Sequence, residues 1–261
     1  MRRLKILIWH VHGSYLNALA RLDHDWYVPV KPGRPTGYVG RGWTFDGHDR
    51  LHEVPASEVR HLDLDLVIHQ TPATFFEDQF ELLSPEQRRL PQIYLEHNTP
   101  KPDACNTRHP VDDPDVLLVH VTHFNELFWD AGGTRTAVVE HGIVPPASTY
   151  TGELPRVGVA TNEPIRRGRV TGTDLMPRFA SVVPLDVFGM GTTGLAAHLG
   201  VPVGAYDLAQ AELHAELARR RAYLHLCRWT SLGLSLIEAM AMGMPVVVLA
   251  STEAVLAVPP A

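Results

Sequence analysis

A single acid, Glu238, stands in the oily run "SLIEAMAMG" (residues 235–243), between two apolar segments that read as strands. It lies too deep in the helix to cap it, and burying it without a partner would be costly. A vicinal diol such as a ribose offers one hydroxyl to each of its oxygens; a glutamate turned to solvent is the competing reading. The preceding turn, "RWTSLG" (228–233), leads into a helix start whose N–H groups lack intrahelical partners, a ready anion site. Upstream, "NEPIRRGRVTGTDL" (162–175) places Arg166, Arg167 and Arg169 with two glycines after a strand. A planar guanidinium suits a diphosphate, although such a run also serves as a solvated basic loop. The next strand ends in "FGMGTTG", where Gly189 and Gly191 permit close backbone approach.

The first half carries a different signal. "WHVHGSY", "VIHQTP", "YLEHNTP", "VHVTHFN" and "VVEHGIVPP" each follow an apolar strand, and each holds a histidine. Capping and strand termination account for most of them. His97 and His123 are the best candidates for a cleft, since a neutral imidazole can exchange one hydrogen bond with a sugar hydroxyl or a carbonyl. A zinc site is not supported: His10 and His12 lack the spacing of HExxH. Asp63 and Asp65 form a DxD, but they precede their strand, on the edge away from the ligand face. "HVHGSY" has one glycine where a dinucleotide fingerprint needs three, which disfavours an NAD- or flavin-dependent oxidoreductase.

These residues need a scaffold of alternating strands and helices. "LKILIW", "WYVPV", "DLVIH", "QIYL", "VLLVHV" and "TAVVE" read as strands in the first half; "RVGVAT", "LDVFGM", "AYLHLC" and "PVVVLA" do so in the second. Continuous apolar runs mark strands covered on both faces, hence mainly parallel sheets wrapped by helices. "HGIVPPASTYTGELPR" interrupts the rhythm, with a linker near 145–155. The expected architecture is α/β: two doubly wound, Rossmann-like domains, 1–150 and 151–261, facing across a cleft lined by the carboxyl ends of their strands. Residues 31–49, rich in Gly and Pro, read as a long loop.

Composition bounds the rest. The 261 residues are 45% apolar and 20% charged, with a net charge of -6 and no basic block, so no nucleic-acid partner is expected. Cys105 and Cys227 lie far apart with no CxxC, which suits a reducing cytoplasmic setting. The opening apolar run breaks at His10, too short for a signal peptide, and no segment approaches transmembrane length.

"RWTSLGLSLIEAMAMGMPVV" resembles the donor-site signature of the retaining nucleotide-sugar glycosyltransferases of family 4, which have the GT-B fold. "LDVFGMG" is similar to the family's strand ending in Gly-x-Gly, so the resemblance spans most of residues 156–251; the first half matches in general architecture only. It implies an enzyme that transfers a sugar from a nucleotide diphosphate sugar to an acceptor, retaining and metal-independent, with no further cofactor. The second domain would hold the donor and the first the acceptor.

By the same resemblance, Glu238 would bind the donor ribose, and the backbone of Ser231, Leu232, Gly233 and Leu234 would face the diphosphate and sugar. The arginine loop would hold the diphosphate, in one of two registers: Asn162 with Arg167-Gly168, or Arg166 with Thr171. Arg167 and His97 would carry catalysis, the latter as a sugar-contacting histidine. Two departures stand out. Thr230 replaces the acid eight residues before Glu238 that contacts donor hydroxyls, which leaves a nucleotide-sugar-binding subunit without turnover as the alternative. The sequence also stops soon after "PVVVLA", so an incomplete second domain is expected, to be completed by further chain or by a partner. Base, sugar and acceptor are not readable.

Overall fold

The computed structural model describes residues 2–42 and 48–259. It divides into two compact units, Met1–Gly142 and Ile143–Ala261.

The first unit runs β1 (Lys5–Ile8), α1 (Gly13–Leu19), β2 (Asp25–Val30), β3 (Leu51–Pro55), β4 (Leu66–His69), α2 (Gln79–Leu82), β5 (Gln92–Glu96), β6 (Val116–His120), α3 (His123–Phe128) and β7 (Arg135–Val138). The sheet order is β3-β2-β1-β4-β5-β6-β7, and every pairing is parallel. Alternate residues of β1 enter opposite cores. Ile6 and Ile8 pack with Leu16, Trp26 and Val28; Leu7 and Trp9 pack with Val59, Val67 and Leu82. This explains the uninterrupted apolar run, since both faces of the strand are buried. Asp63 and Asp65 do lie at the strand entry, where Lys5 Nζ reaches Asp63 at 2.9 Å and Arg2 pairs with Asp65.

One strand was not expected. β3, "LHEVP", is an edge strand whose His, Glu and Pro hide its signal. Its Glu53 takes a two-pronged bond from Arg34, at 2.9 and 2.8 Å. The loop expected over 31–49 has no helix or strand in its described part, while 43–47 lie outside the described residues.

The second unit runs β8 (Leu154–Ala160), α4 (Pro164–Arg167), α5 (Met176–Ala180), β9 (Leu185–Phe188), α6 (Leu195–Leu199), β10 (Gly204–Tyr206), α7 (Gln210–Ala218), β11 (Arg220–His225), α8 (Leu234–Ala241), β12 (Val246–Val248) and α9 (Ala254–Ala257). Its parallel order is β10-β9-β8-β11-β12. The chain steps outward from β8 to β10, then returns to the other flank of β8. A topological switch therefore falls between β8 and β11. β10 was also unexpected: three residues at an edge, the first of them the glycine of "VPVGAY", give little periodic signal.

Leu236, Ala239 and Met242 of the α8 segment face Phe188, Leu217 and Tyr223. The helix ends where Gly243 takes φ +82, with Gly243 N bonded to Met240 O and Met244 N to Ala239 O, the paired bonds of a Schellman cap. Residues 139–153 contain no helix or strand. The end of that stretch is tied to the second unit, Tyr150 N donating to Met242 O at 2.9 Å and Thr151 N to Ala218 O at 3.0 Å.

Candidate functional site

The carboxyl ends of β8 and β11 flank the switch point of the second unit, and the arginine loop and the "RWTSLG" turn follow them directly. The two segments are stitched together. Arg228 N and Trp229 N both donate to Val170 O, and the Arg228 guanidinium bridges Asp174 and the Arg169 carbonyl. Gly172 has φ +73, and a Cβ there would lie 2.1 Å from Leu226 O, so only glycine fits this junction. Gly189 serves a similar purpose. Its φ is +138, and a Cβ would stand 2.3 Å from Thr161 O, so its close approach is to the end of β8. Asn162 Oδ1 completes the seam by accepting from Met190 N at 3.0 Å.

Three expected arginines have three different fates. Arg166 is exposed and paired with Glu163, a residue held in the left-handed region at φ +51. Arg169 is exposed and paired with Asp174 at 2.9 Å. Arg167 is half-buried and makes no ion pair among the described residues. Its charge is felt by Cys227: burial pushes that thiol up, and the nearby Arg167 guanidinium opposes the rise. Thr171, the other register's partner, is buried and bonded to Thr173 and Gly168 O, facing inward.

α8 starts at Leu234 with no side-chain cap on Gly233 and no acid in its first turn. Gly233 is packed so tightly on the His225 ring that a Cβ would come within 2.7 Å of it. Ser231 is buried; Thr230 and Leu232 are half-buried, with Thr230 Oγ1 itself inaccessible. Glu238 is 8% exposed. As its surroundings require, it has protein partners, both from α7: Gln210 Nε2 donates to Oε1 at 3.2 Å, and His214 Nε2 lies 3.1 Å from Oε2. Neither α7 residue was foreseen.

In the first unit the switch falls between β1 and β4. His97, after β5, bonds through Nε2 to Gln70 Oε1 at 2.9 Å. Gln70 Nε2 is committed to Trp9 O at 2.8 Å, so its oxygen faces the ring and the proton sits on His97 Nε2. The rings of His12 and Tyr15 close on His97 at 4.3 and 4.7 Å between centroids. Burial, with His12 and His141 adding to it, holds the His97 imidazole well below its usual value, so it is neutral at physiological pH. His123 does not join this group; it is the exposed first residue of α3. Next to His97 in the chain, Glu96 forms a buried pair with His109 at 3.2 Å. No group of three or more metal-ligating side chains occurs among the described residues.

Two further histidines, His69 and His120, are fully buried, and neither ring nitrogen of His120 is hydrogen-bonded. Burial lowers each to about 4. Between that value and the unfolded value near 6.5, the unfolded chain binds the extra protons, so stability is retained above that window and lost as pH falls through it. Each site accounts for about 3 kcal/mol at the acid end. The urea midpoint of the first unit, followed by tryptophan fluorescence, is expected to be flat above pH 7 and to drop steadily from pH 6.5 to 4.5. A midpoint constant across that range would overturn the assignment.

No family model and no curated protein matches this sequence. Solved structures do match in fold. Sucrose-phosphate synthase from Thermosynechococcus elongatus superposes with a TM-score of 0.67 at 12% identity, over 100% of this chain and 84% of that one. Anabaena HepE in complex with UDP-glucose gives 0.62 at 14% identity, over 99% and 84%. The fold is GT-B. TarM superposes more loosely, at a TM-score of 0.47 and 14% identity, over 72% of this chain and 42% of TarM. Among the described residues of this GT-B chain, no helix is long and apolar enough to cross a membrane.

Proposed function

We propose that this chain is a glycosyltransferase that moves a sugar from a nucleotide diphosphate sugar to an acceptor, with retention and without a metal ion. One observation carries the reading. Just over a turn inside α8, at the β8/β11 switch of the second unit, Glu238 is buried, while that helix begins uncapped and Arg167 stands unpaired in the adjoining loop. Glu238 holds the donor ribose, and the N–H groups at Gly233 and Leu234 with Arg167 face the diphosphate. As the glycosidic bond breaks, the leaving diphosphate gathers negative charge, and these donors stabilise it more in the transition state than in the ground state. His97 offers a neutral imidazole to a substrate hydroxyl. The solved complex of HepE with UDP-glucose, on the same fold, supports a nucleotide-sugar donor.

Thr230 favours a second reading, a nucleotide-sugar-binding subunit without turnover, because a hydroxyl brings no charge to the donor sugar. Nucleoside diphosphate release from UDP-, GDP- and ADP-sugars decides between them. The wild-type chain is expected to release one of the three, and Glu238→Ala to weaken binding of that nucleotide about 100-fold, the loss of two hydrogen bonds to a carboxylate. Binding with no release across donors and acceptors would establish the subunit reading. Undiminished binding by Glu238→Ala would remove both.

A further inference from the structure

We infer that His214, with Gln210, is a positioning residue for Glu238, and that its hydrogen bond to the Glu238 carboxyl forms when a ribose engages. The inference rests on the proposed ribose role of Glu238. Gln210 and His214 are four residues apart on α7 and so share one face, which is turned to α8. The two contacts to Glu238 are unequal. Gln210 Nε2 donates to Oε1 at 3.2 Å. His214 Nε2 lies closer, 3.1 Å from Oε2, yet it is misaligned and has no hydrogen-bond partner. Both residues of this pair are more than nine-tenths buried, His214 at 7% and Glu238 at 8% exposure.

A buried ring nitrogen beside an available acceptor is an unmet bond, and such groups are few in folded proteins. A small turn of the carboxyl group about its last torsion, which is soft, would place Oε2 on the His214 N–H. A diol that claims one lone pair on each Glu238 oxygen fixes that torsion, and a carboxyl group has lone pairs enough for the diol and both α7 donors. His214 would then hold the oriented carboxyl from behind while touching no substrate itself, because its Nε2 is inaccessible.

The test compares UDP, GDP and ADP with their 2′-deoxy counterparts by calorimetry. His214→Phe, which keeps the shape and removes the nitrogen, is expected to weaken the nucleotide that binds about tenfold. Its 2′-deoxy form should be weakened less than threefold. His214→Gln, whose Nε2 can replace that of the ring, should restore most of the loss. In turnover the Phe variant raises KM for the donor and leaves kcat within twofold, as expected for binding equal in ground and transition states. A purely structural His214 would weaken both nucleotides alike and would not be rescued by Gln; that result overturns the inference. If His214→Phe does not fold, Gln210→Met takes its place with the same expected ribose dependence. Should Glu238→Ala weaken binding while neither α7 variant does, only the inference falls. Should the wild-type chain bind no nucleotide, or Glu238→Ala bind as wild type does, the underlying reading falls first.

Discussion

Asp186→Ala is expected to lower the stability of the second unit by about 3–5 kcal/mol, the usual cost of breaking a buried ion pair by removing one of its members. Asp186 is fully buried on β9. Arg156 from β8 donates to it at 2.7 and 2.6 Å, and Arg220 from β11 at 3.0 Å. Burial pushes its carboxyl up, but the two guanidiniums together outweigh burial and hold it below the usual value. Arg220, with only 5% of its side chain exposed, also stacks over the rings of Phe188 and Tyr206 and reaches Glu216 at 2.6 Å. Removal of Asp186 leaves that buried guanidinium with Glu216 alone, and Arg156 with no carboxylate, at the amino ends of the three middle strands of the sheet. Urea denaturation should show a lower midpoint at unchanged slope. The double variant Asp186→Leu/Arg220→Met, which removes both charges, should recover most of the loss, since well-packed apolar groups often replace a buried pair at little cost. A loss below about 1 kcal/mol for Asp186→Ala would show the network to be a surface-grade contact.

The sequence made the two sheets legible because most of their strands are buried on both faces. In β1, the run of Ile6, Leu7 and Ile8 needs two cores, one above and one below, and both exist. β3 and β10 escaped because they are edges: the polar His52 and Glu53 in one, three residues in the other. The acid in α8 was legible for a similar reason, since Leu236, Ala239 and Met242 fix which side of that helix is core. Its partners were not. Gln210 and His214 gain meaning only when α7 is seen packing beside α8, and the spacing of four between them is common on any helix. Likewise the residues "RRGR" read as three equivalent cations. What separates them is tertiary: Glu163, strained at the end of β8, takes Arg166, and Asp174 takes Arg169 together with Arg228 from the following turn. His97 and His69 look alike as strand-end histidines, yet one lies in a ring-lined group and the other is sealed in the core.

That division of the arginines leads to the second large effect. Arg167→Ala is expected to slow nucleoside diphosphate release about 100-fold, the usual cost of removing one donor aimed at developing charge. Nucleotide binding should weaken less, because the charge on the leaving group is greatest in the transition state. Arg167→Lys should recover part of the rate: it keeps the charge and loses the planar fork. Arg166→Ala makes the contrast, since its head is already held by Glu163 in solvent, and its loss should stay under about tenfold. An independent reading comes from Cys227. With the Arg167 charge gone, the thiol loses the larger of the two influences that oppose burial, the other being Thr230, and moves further up, so in a Cys105→Ser background its alkylation at fixed pH should slow. If alkylation slows while release is unchanged, Arg167 lies where the structure puts it but does not serve the leaving group, and the diphosphate must be held by the α8 backbone alone. If Arg166→Ala proves as damaging as Arg167→Ala, the Glu163 pair must open on donor binding, and the loop would hold the diphosphate with two guanidiniums.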